Sequence, residues 1–321
     1  MELRTRTLGR RGPVVTTVGL GCNNFGREGT LTETQAGTTA VIDAALELGV
    51  TLLDTADMYG GHPGQSETLM GVALEGRRDS IVLATKFGHE AVDMRIADAA
   101  AKGSRAYIRA AITDSLGRLR TDRVDLYQLH HPDPGTPIEE TILALEELVA
   151  EGKILHYGHS NLSASQLVEA QAVADRLGVT GFISAQNEYS LIAREVEREV
   201  LPTVVELGLG FLPYFPLANG LFTGKFSRTE RPADTRIMRQ RPHIVQNAPW
   251  DAMEAYAAFC AERGVTMLEA TFGWFLAQSA VTSVIAGATT PGQLEQNAAA
   301  SVAWSPTEAD VRTISNLFDY S

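Results

Sequence analysis

The sequence predicts an α/β protein that folds as one (β/α)8 TIM barrel over residues 1–321. Short apolar runs recur eight times along the chain, and a helical pattern follows each of them. The first seven runs start about 30 residues apart, which is what one strand, one crossover helix and two loops need. A doubly wound sheet fits less well, because no G-x-G-x-x-G follows an early strand. The predicted strands are Val18–Leu20, Thr51–Asp54, Ser80–Lys86, Val124–His130, Ile154–His159, Phe182–Gln186, Leu209–Tyr214 and Ser283–Ala286.

Helix signals lie between these strands. Hydroxyl side chains that can cap a helix precede several apolar repeats, and glycines that favour a left-handed C-terminus follow some of them. Proline in a first helical turn is a further start signal. The signals are Thr32 and Gly49 around a helix that ends at Leu48, Ser104 before a helix through Leu119, Pro137, and the pair Ser163 and Gly178. This alternation predicts a parallel sheet with helices on its outside.

The barrel itself needs about 250 residues, so part of the chain must lie outside it. We expect this surplus in an N-terminal β-hairpin around Gly9–Gly12, a long loop after the seventh strand at about Leu217–Pro249, and a C-terminal helical tail. No Pro/Ser-rich linker divides the chain. A single domain is therefore predicted.

The charge balance excludes several classes of protein. The chain has 39 acidic residues against 27 Lys and Arg, a net charge of −12, and no basic tract that would release counterions from a nucleic acid. Cys22 and Cys260 are too few for a disulfide framework and have no metal-ligand spacing. No uncharged apolar stretch of about 18 residues occurs. We expect a cytoplasmic protein with no nucleic-acid partner, no membrane contact and no metal, while its oligomeric state stays open.

Polar residues collect where the predicted strands end. The carboxyl ends of the strands form the active-site face of this fold. A single polar residue there is commonly a cap or a packing residue, but six strands that end this way indicate a functional site. The residues are Asp54 and Tyr59, Lys86, His130, Ser160 and Asn161, Gln186 and Asn187, and Tyr214.

Four of these residues can act together on a carbonyl. The Tyr59 phenol holds a proton at neutral pH and releases it to a strongly basic oxyanion. The Lys86 ammonium favours the phenolate and is expected to lower the pKa of Tyr59, while the Asp54 carboxylate keeps that lysine charged. His130 can donate a hydrogen bond to the same oxygen. None of the four is a strong nucleophile and the set lacks metal-ligand spacing, so hydrolysis by a Ser triad or a zinc site is disfavoured. Reduction of a carbonyl needs a hydride, which must come from a cofactor. An unrelated barrel hydrolase or isomerase that uses Asp54 and His130 is the weaker alternative.

Several motifs carry these residues: VGLGCNNFG at Val18–Gly26, DTADMYG, LATKFG, DLYQLHHPDP, and IAGATTPGQLEQN at Ile285–Asn297. In combination and order they resemble the motifs of the aldo-keto reductase superfamily, in its branch of potassium-channel beta subunits and bacterial aldo/keto reductases. The resemblance covers nearly the whole chain. It implies a catalytic tetrad of Asp54, Tyr59, Lys86 and His130, in which His130 rather than His131 is the catalytic histidine.

The same resemblance implies the residues that hold a nicotinamide cofactor. In the family a Ser-Asn pair and a Gln hydrogen-bond the carboxamide, an aromatic residue stacks on the ring, and a loop covers the pyrophosphate. The residues at the matching positions are Gly21, Cys22, Asn23, Asp54, Ser160, Asn161, Gln186, Tyr214, Pro216, Leu217, Gly220, Leu221, Lys225, Arg236, Gly287, Thr289, Gln293, Gln296 and Asn297.

The long loop bears on the choice between NADP(H) and NAD(H). It carries six basic residues against two acidic ones, an excess that suits a polyanionic ligand. The C-terminal motif, in contrast, lacks the basic residues that bind the 2′-phosphate in NADP-preferring relatives, and Gln296 replaces their usual Glu. Arg236 or Arg239 of the loop can supply the missing charge. We therefore expect NADP(H), with NAD(H) as the alternative.

The expected substrate is a small carbonyl compound, an aldehyde or a ketone. The residues expected to line its pocket are Phe25, Met58, Tyr59, Phe87, His130 and His131. The leading hypothesis is an NADP(H)-dependent carbonyl reductase with Tyr59 as proton donor. The alternative is a redox-sensing or regulatory protein of the same fold, which binds the cofactor and turns over slowly.

Overall fold

The structure is a computed structural model that describes residues 1–92 and 101–319. Strands β1 (Thr5–Thr7) and β2 (Val14–Thr16) form an antiparallel hairpin. Eight parallel strands follow; the first seven pair in the order in which they occur along the chain, and the eighth pairs with the first. They are β3 (Val18–Gly21), β4 (Leu52–Asp54), β5 (Val82–Phe87), β6 (Val124–Leu129), β7 (Ile154–Ser160), β8 (Ser184–Gln186), β9 (Gly210–Phe211) and β10 (Val284–Gly287).

The sheet closes on itself between β9 and β10. The Phe211 N–H donates to Ala280 O at 3.1 Å, and the Thr282 N–H donates to Phe211 O at 2.8 Å. The predicted (β/α)8 barrel with its N-terminal hairpin is therefore confirmed. β9 is shorter than the predicted strand Leu209–Tyr214, because Pro213 has no N–H to continue a ladder.

Helices surround the barrel. They are α1 (Gln35–Leu48), α2 (Gln65–Ala73), α3 (Arg105–Leu119), α4 (Ile138–Ala150), α5 (Ala164–Leu177), α6 (Val200–Leu207), α7 (Arg236–Gln240), α8 (Pro242–Gln246), α9 (Trp250–Arg263), α10 (Met267–Leu276), α11 (Pro291–Ala303) and α12 (Glu308–Leu317). The Ser104 and Ser163 hydroxyls cap α3 and α5 as predicted. Gly49 and Gly178 end α1 and α5 in the left-handed conformation. Within the described ranges, none of the helices combines the length and the hydrophobicity needed to cross a bilayer.

The cap predicted for the first helix is wrong by two residues. Thr34, not Thr32, precedes α1, and its hydroxyl accepts a hydrogen bond from the Gly37 N–H at 3.1 Å. Thr32 lies buried in a short 3-10 turn, and its hydroxyl donates to Asn24 O at 3.0 Å. The Thr32 hydroxyl therefore ties the start of the helix to the loop after β3.

The inside of the barrel is packed with apolar side chains rather than open. Residues from the barrel strands and the hairpin share one buried cluster, and burying each large side chain stabilises the fold by roughly 1.5–3 kcal/mol. The hairpin packs at the amino ends of the strands, and the carboxyl ends open to a cleft. The cluster consists of Leu8, Val15, Leu52, Ala84, Leu126, Ile183, Leu212 and Ile285.

The predicted long loop and tail lie outside the barrel. The loop folds into a 3-10 segment, Ala218–Thr223, followed by α7 and α8. Phe318, at the end of α12, packs edge-on against the rings of Phe222 and Tyr256, with centroids 5.4 and 5.5 Å away. The C-terminal tail therefore packs against the start of the long loop.

The hairpin turn gives a test of this packing. Gly9 has a φ of 65°, and a Cβ on it would lie 2.5 Å from Ile183 O. Gly264 after α9 has a φ of 66° but open space around it. Gly264→Ala should lower the free energy of unfolding by about 1 kcal/mol, the left-handed cost alone. Gly9→Ala should lower it by about 3 kcal/mol, since the clash adds to that cost. Urea unfolding measures both; equal losses would contradict the tight contact.

Candidate active site

The carboxyl ends of the parallel strands open into a cleft of about 760 Å³, a volume typical of small-molecule sites. Residues separated by more than 100 positions in the sequence meet there because the barrel brings its strand ends to one face. The polar residues at strand ends that line the cleft are Asp54, Tyr59, His130, Ser160, Asn161, Gln186 and Tyr214.

An ion pair between Lys86 of β5 and Asp54 of β4 lies beneath the cleft. Lys86 Nζ is 2.5 Å from Asp54 Oδ2, and it also donates to Thr55 O at 2.8 Å. The second carboxylate oxygen, Oδ1, accepts hydrogen bonds from the side-chain amides of Gln128 at 3.0 Å and Gln186 at 3.1 Å. Both charged side chains are buried, so these partners offset a large desolvation cost.

Tyr59 adjoins this pair, with its ring centroid 5.1 Å from Lys86 Nζ. Burial alone would lower the pKa of Lys86, but Asp54 and Tyr59 outweigh burial and raise that pKa, so the lysine stays charged. The pKa of Tyr59 is also raised, which contradicts the lowering expected from the sequence. The ammonium acts in the expected direction, but the desolvation of a buried phenolate is the larger effect. Tyr59 is therefore a phenol throughout the neutral range.

His130 is the neutral member of the site. Burial, followed by the charges of Lys86, His89 and His131, holds its pKa well below the ordinary value. Its ring meets Tyr59 edge-on at 5.9 Å and stacks on His131 at 5.1 Å between centroids. A neutral imidazole carries one N–H donor. Among the described residues, no group of three His, Cys, Asp or Glu side chains is arranged to hold a metal ion.

A second set of hydrogen bonds orients the residues at the ends of β7, β8 and β9. The Ser160 hydroxyl donates to Gln186 O at 2.8 Å. The Asn161 amide donates to His130 O and to Ser160 Oγ, both at 3.0 Å, and its oxygen accepts from the Tyr214 hydroxyl at 2.9 Å. These contacts fix the side chains before any ligand binds.

Residues with strained backbone conformations also lie beside the cleft. Among the described non-glycine residues, positive φ angles occur at Asn161, Phe215, Ala218 and Asn219, and otherwise at Arg120, which ends α3. Such conformations cost of order 1–3 kcal/mol each and are concentrated at functional sites. Their location beside the cleft therefore supports a binding role for the segment that begins at Tyr214.

Comparison with known proteins decides the family. The family model "Aldo/keto reductase family" matches residues 17–318 of the chain. The chain belongs to the aldo/keto reductase family. A similar protein is the uncharacterized oxidoreductase YrpG of Bacillus subtilis (strain 168), 36% identical over 294 residues that cover 89% of this chain and 87% of YrpG.

Two further relatives of this aldo/keto reductase family member differ in what their names say. The uncharacterized oxidoreductase YqkF of Bacillus subtilis (strain 168) is 34% identical over 97% of this chain and 95% of its own. A probable voltage-gated potassium channel subunit beta of Oryza sativa subsp. japonica is 32% identical over 92% of this chain and 90% of its own. The family and its oxidoreductase-named members support an oxidoreductase with a small-molecule substrate, and the family generally binds nicotinamide cofactors.

Most residues predicted from the sequence do line the cleft. Of the predicted cofactor residues, Cys22 and Leu221 do not; of the predicted substrate residues, Phe25 and Phe87 do not. All four side chains are fully buried in the hydrophobic core. Lys86 lies beneath the cleft surface, where it holds Asp54. The predicted residues that line the cleft are Gly21, Asn23, Asp54, Met58, Tyr59, His130, His131, Ser160, Asn161, Gln186, Tyr214, Pro216, Leu217, Gly220, Lys225, Arg236, Gly287, Thr289, Gln293, Gln296 and Asn297.

Sequence reasoning missed several residues of the site. Gln128 lies between Tyr127 and Leu129 near the end of a predicted strand, and its position there was the available signal for a polar residue facing the barrel interior. Arg27, His89 and Arg241 also line the cleft. They lie in loops, where no periodicity indicates which way a side chain points.

A second buried carboxyl group lies behind the ion pair. Neither oxygen of Asp57 has a hydrogen-bond partner among the described residues. Burial, followed by the charge of Glu67, raises the pKa of Asp57 to about 8. Glu67 itself accepts a hydrogen bond from Thr85 at 2.6 Å and pairs with Arg118 at 2.7 Å. Asp57 is therefore mostly protonated at neutral pH, while Glu67 is the partnered carboxylate.

The raised pKa of Asp57 predicts how stability depends on pH. The folded state holds a proton that the unfolded state releases above its ordinary pKa, so the contribution of Asp57 to stability falls as pH rises from about 4 to about 8. Asp57→Asn removes this titration. We expect its free energy of unfolding, relative to wild type, to increase by up to about 1.4 kcal/mol per pH unit over that range. Urea unfolding at several pH values measures it, with the exposed Asp114→Asn as control. A difference that does not change with pH would contradict a protonated Asp57.

Proposed function

We propose that the protein is an NADP(H)-dependent carbonyl reductase that converts a small aldehyde or ketone to its alcohol. The observation that best supports this proposal is the buried Lys86–Asp54 pair next to a protonated Tyr59, with a neutral His130 beside it. A carbonyl oxygen placed against Tyr59 meets a proton donor, a fixed positive charge and an N–H donor together.

In this mechanism Tyr59 donates its proton to the substrate oxygen as that oxygen becomes an alkoxide. When bound, the reduced nicotinamide supplies the hydride that the side chains of the protein cannot supply. Lys86 stabilises the phenolate that Tyr59 becomes, and Asp54 keeps the lysine charged and in place. His130 donates its ring N–H to the substrate oxygen and so orients the carbonyl.

The nicotinamide end of the cofactor suits the residues that the second hydrogen-bond network fixes. The Gln186 nitrogen is engaged by Asp54, which leaves its oxygen to accept from the carboxamide of the cofactor. Ser160 and Asn161 complete the carboxamide site in this proposal. Tyr214, held by Asn161, offers a flat face for the nicotinamide ring.

The phosphate end suits the residues after β9 and β10. Arg236 donates to the neutral oxygens of Asn24 at 2.7 Å and Gln240 at 3.2 Å, so its charge is not neutralised by these contacts. Burial, followed by Arg27 and Arg241, lowers the pKa of Arg236 to about 10, and an anion beside it would relieve this repulsion. We assign Arg236 and Lys225 to the cofactor phosphates. Around them, the proposed adenosine site consists of Gly287, Thr289, Gln293, Gln296 and Asn297.

A second candidate function is regulatory. It is favoured by the relatives named as probable potassium channel beta subunits, in Oryza sativa subsp. japonica and Arabidopsis thaliana. Such a protein would bind the cofactor tightly and release it slowly. Single-turnover kinetics separate the two candidates: rapid multiple turnover supports the reductase, and slow release of oxidised cofactor after one hydride transfer supports the regulatory protein.

Tyr59→Phe tests the proton donor. Phe keeps the ring but removes the hydroxyl, so kcat for an aromatic aldehyde with NADPH should fall by about 10²–10⁴-fold, the usual contribution of a general acid. NADPH binding, followed by fluorescence, should persist and serves as the control for folding. Full turnover by this variant would show that another group donates the proton.

Arg236→Gln tests the preference for NADP(H). Loss of a charge-assisted contact to the 2′-phosphate should raise the Kd of NADPH about tenfold more than the Kd of NADH. The matched control is Arg228→Gln, since Arg228 lies in the same segment but pairs with Glu254 outside the cleft. Fluorescence titration gives both constants. An equal effect on the two cofactors would mean that Arg236 does not bind the 2′-phosphate.

A further inference from the structure

Two kinds of basic residue occur in and near the long loop. Arg228 lies outside the cleft, where it pairs with Asp251 and with Glu254. The cleft, in contrast, is lined by basic side chains that have no carboxylate oxygen within 4.0 Å in the part of the chain that the structure describes. These residues are Arg27, Lys225, Arg236, Arg239 and Arg241.

The arginines of the cleft are held by neutral groups. Arg27 Nη1 donates to Gln240 Oε1 at 3.1 Å, while the Arg27 Nε is buried and has no partner among the described residues. Arg241 lies over the ring of Phe215, with its guanidinium carbon 5.0 Å from the centroid. Burial and Arg241 lower the pKa of Arg27, as expected for like charges held close together. A bound anion would offset this repulsion.

Arg27 is anchored to the loop that carries the proposed proton donor. The Gly61 N–H donates to Gly26 O at 3.0 Å, which joins the residue before Arg27 to the turn that follows Tyr59. Arg27 therefore lies at the end of the cleft where the carbonyl would react.

Arg241 lies beside the proposed nicotinamide platform. The Phe215 ring, over which the Arg241 guanidinium lies, contacts the ring of Tyr214, with centroids 5.3 Å apart. Tyr214 is the proposed platform for the nicotinamide. The phosphates of a dinucleotide are separated from its nicotinamide by a ribose, so a cation at this platform is better placed for the substrate than for the pyrophosphate.

We infer that the substrate carries a carboxylate or phosphate group, which Arg27 and Arg241 bind while the carbonyl lies against Tyr59. This inference rests on the proposed carbonyl reductase function. Lys225 and Arg236 are assigned to the cofactor, and Arg239 donates to Gly29 O at 3.4 Å. Of the cations in the cleft, we assign Arg27 and Arg241 to the substrate, because they lie next to the segments that carry Tyr59 and Tyr214. The planar guanidinium fork suits both acid groups, because it can donate two parallel hydrogen bonds to either.

Matched substrate pairs test the inference. The first pair is 4-carboxybenzaldehyde and its methyl ester, and the second is glyceraldehyde 3-phosphate and glyceraldehyde. The anionic member of at least one pair should have a kcat/KM about tenfold or more above its neutral counterpart, the effect of one charge-assisted contact. No preference in either pair would overturn the inference.

Variants then locate the charge that gives this preference. Arg27→Gln and Arg241→Gln should each reduce the anionic-to-neutral ratio of kcat/KM about tenfold, while Arg228→Gln should leave the ratio unchanged. Two variants are used so that one unstable protein does not end the test, and thermal unfolding checks each fold. A ratio that stays at the wild-type value, together with a weaker NADPH affinity, would assign both arginines to the cofactor and overturn the inference.

A binding measurement separates this inference from the proposed function. If no aldehyde is reduced, the carbonyl reductase proposal fails, but terephthalate can still be titrated into the NADPH-bound protein by calorimetry. Binding that weakens about tenfold in Arg27→Gln would support the anion site in the absence of catalysis. Absence of terephthalate and phosphate binding to the wild-type protein would overturn it.

Discussion

The rest of the site depends on the buried ion pair between Asp54 and Lys86. Desolvation of two charges costs several kcal/mol per ion, and the protein offsets it with a contact of 2.5 Å, a backbone carbonyl and two side-chain amides. The four side chains come from β4, β5, β6 and β8. A shift in the register of any one of these strands would leave a charge without its partners. The ion pair and its hydrogen bonds therefore fix the register of the barrel strands and also position the side chains of the proposed reaction.

The excess charge in the cleft is opposite in sign to the net charge of the molecule. The chain carries a net charge of −12, yet its cleft is lined by five basic side chains that have no described carboxylate oxygen within 4.0 Å. A low-dielectric cleft concentrates such a field at its mouth and attracts anions selectively. A small anion at the cleft mouth therefore experiences mainly the local positive field.

The fold and the central residues could be predicted from the sequence because they produce local patterns. Apolar strands, Ser104 and Ser163 caps and polar strand ends each occupy a short window. How deeply a side chain is buried and which way it points leave no such local pattern. Phe25 and Phe87 adjoin the site in sequence but turn into the core. The pKa of Tyr59 depends on how much water the fold removes, which no motif encodes. Arg27 reaches the cleft through a loop whose path depends on the hydrogen bond between Gly61 and Gly26.

The joint between β9 and β10 has a consequence for motion. Regular ladders join the other strands, whereas this joint consists of isolated bridges at Phe211 and Tyr214. The segment of the long loop that lines the cleft begins at Tyr214, directly beside this joint. Regions with few backbone hydrogen bonds open at a smaller free-energy cost than the global fold. Isolated bridges from Tyr214 to Glu188 and to Ile285 hold the start of this segment, whereas seven ladders join the eight strands of the barrel floor. Ligand exchange would therefore depend on the joint between β9 and β10, while the stability of the fold depends on the ladders of the same sheet.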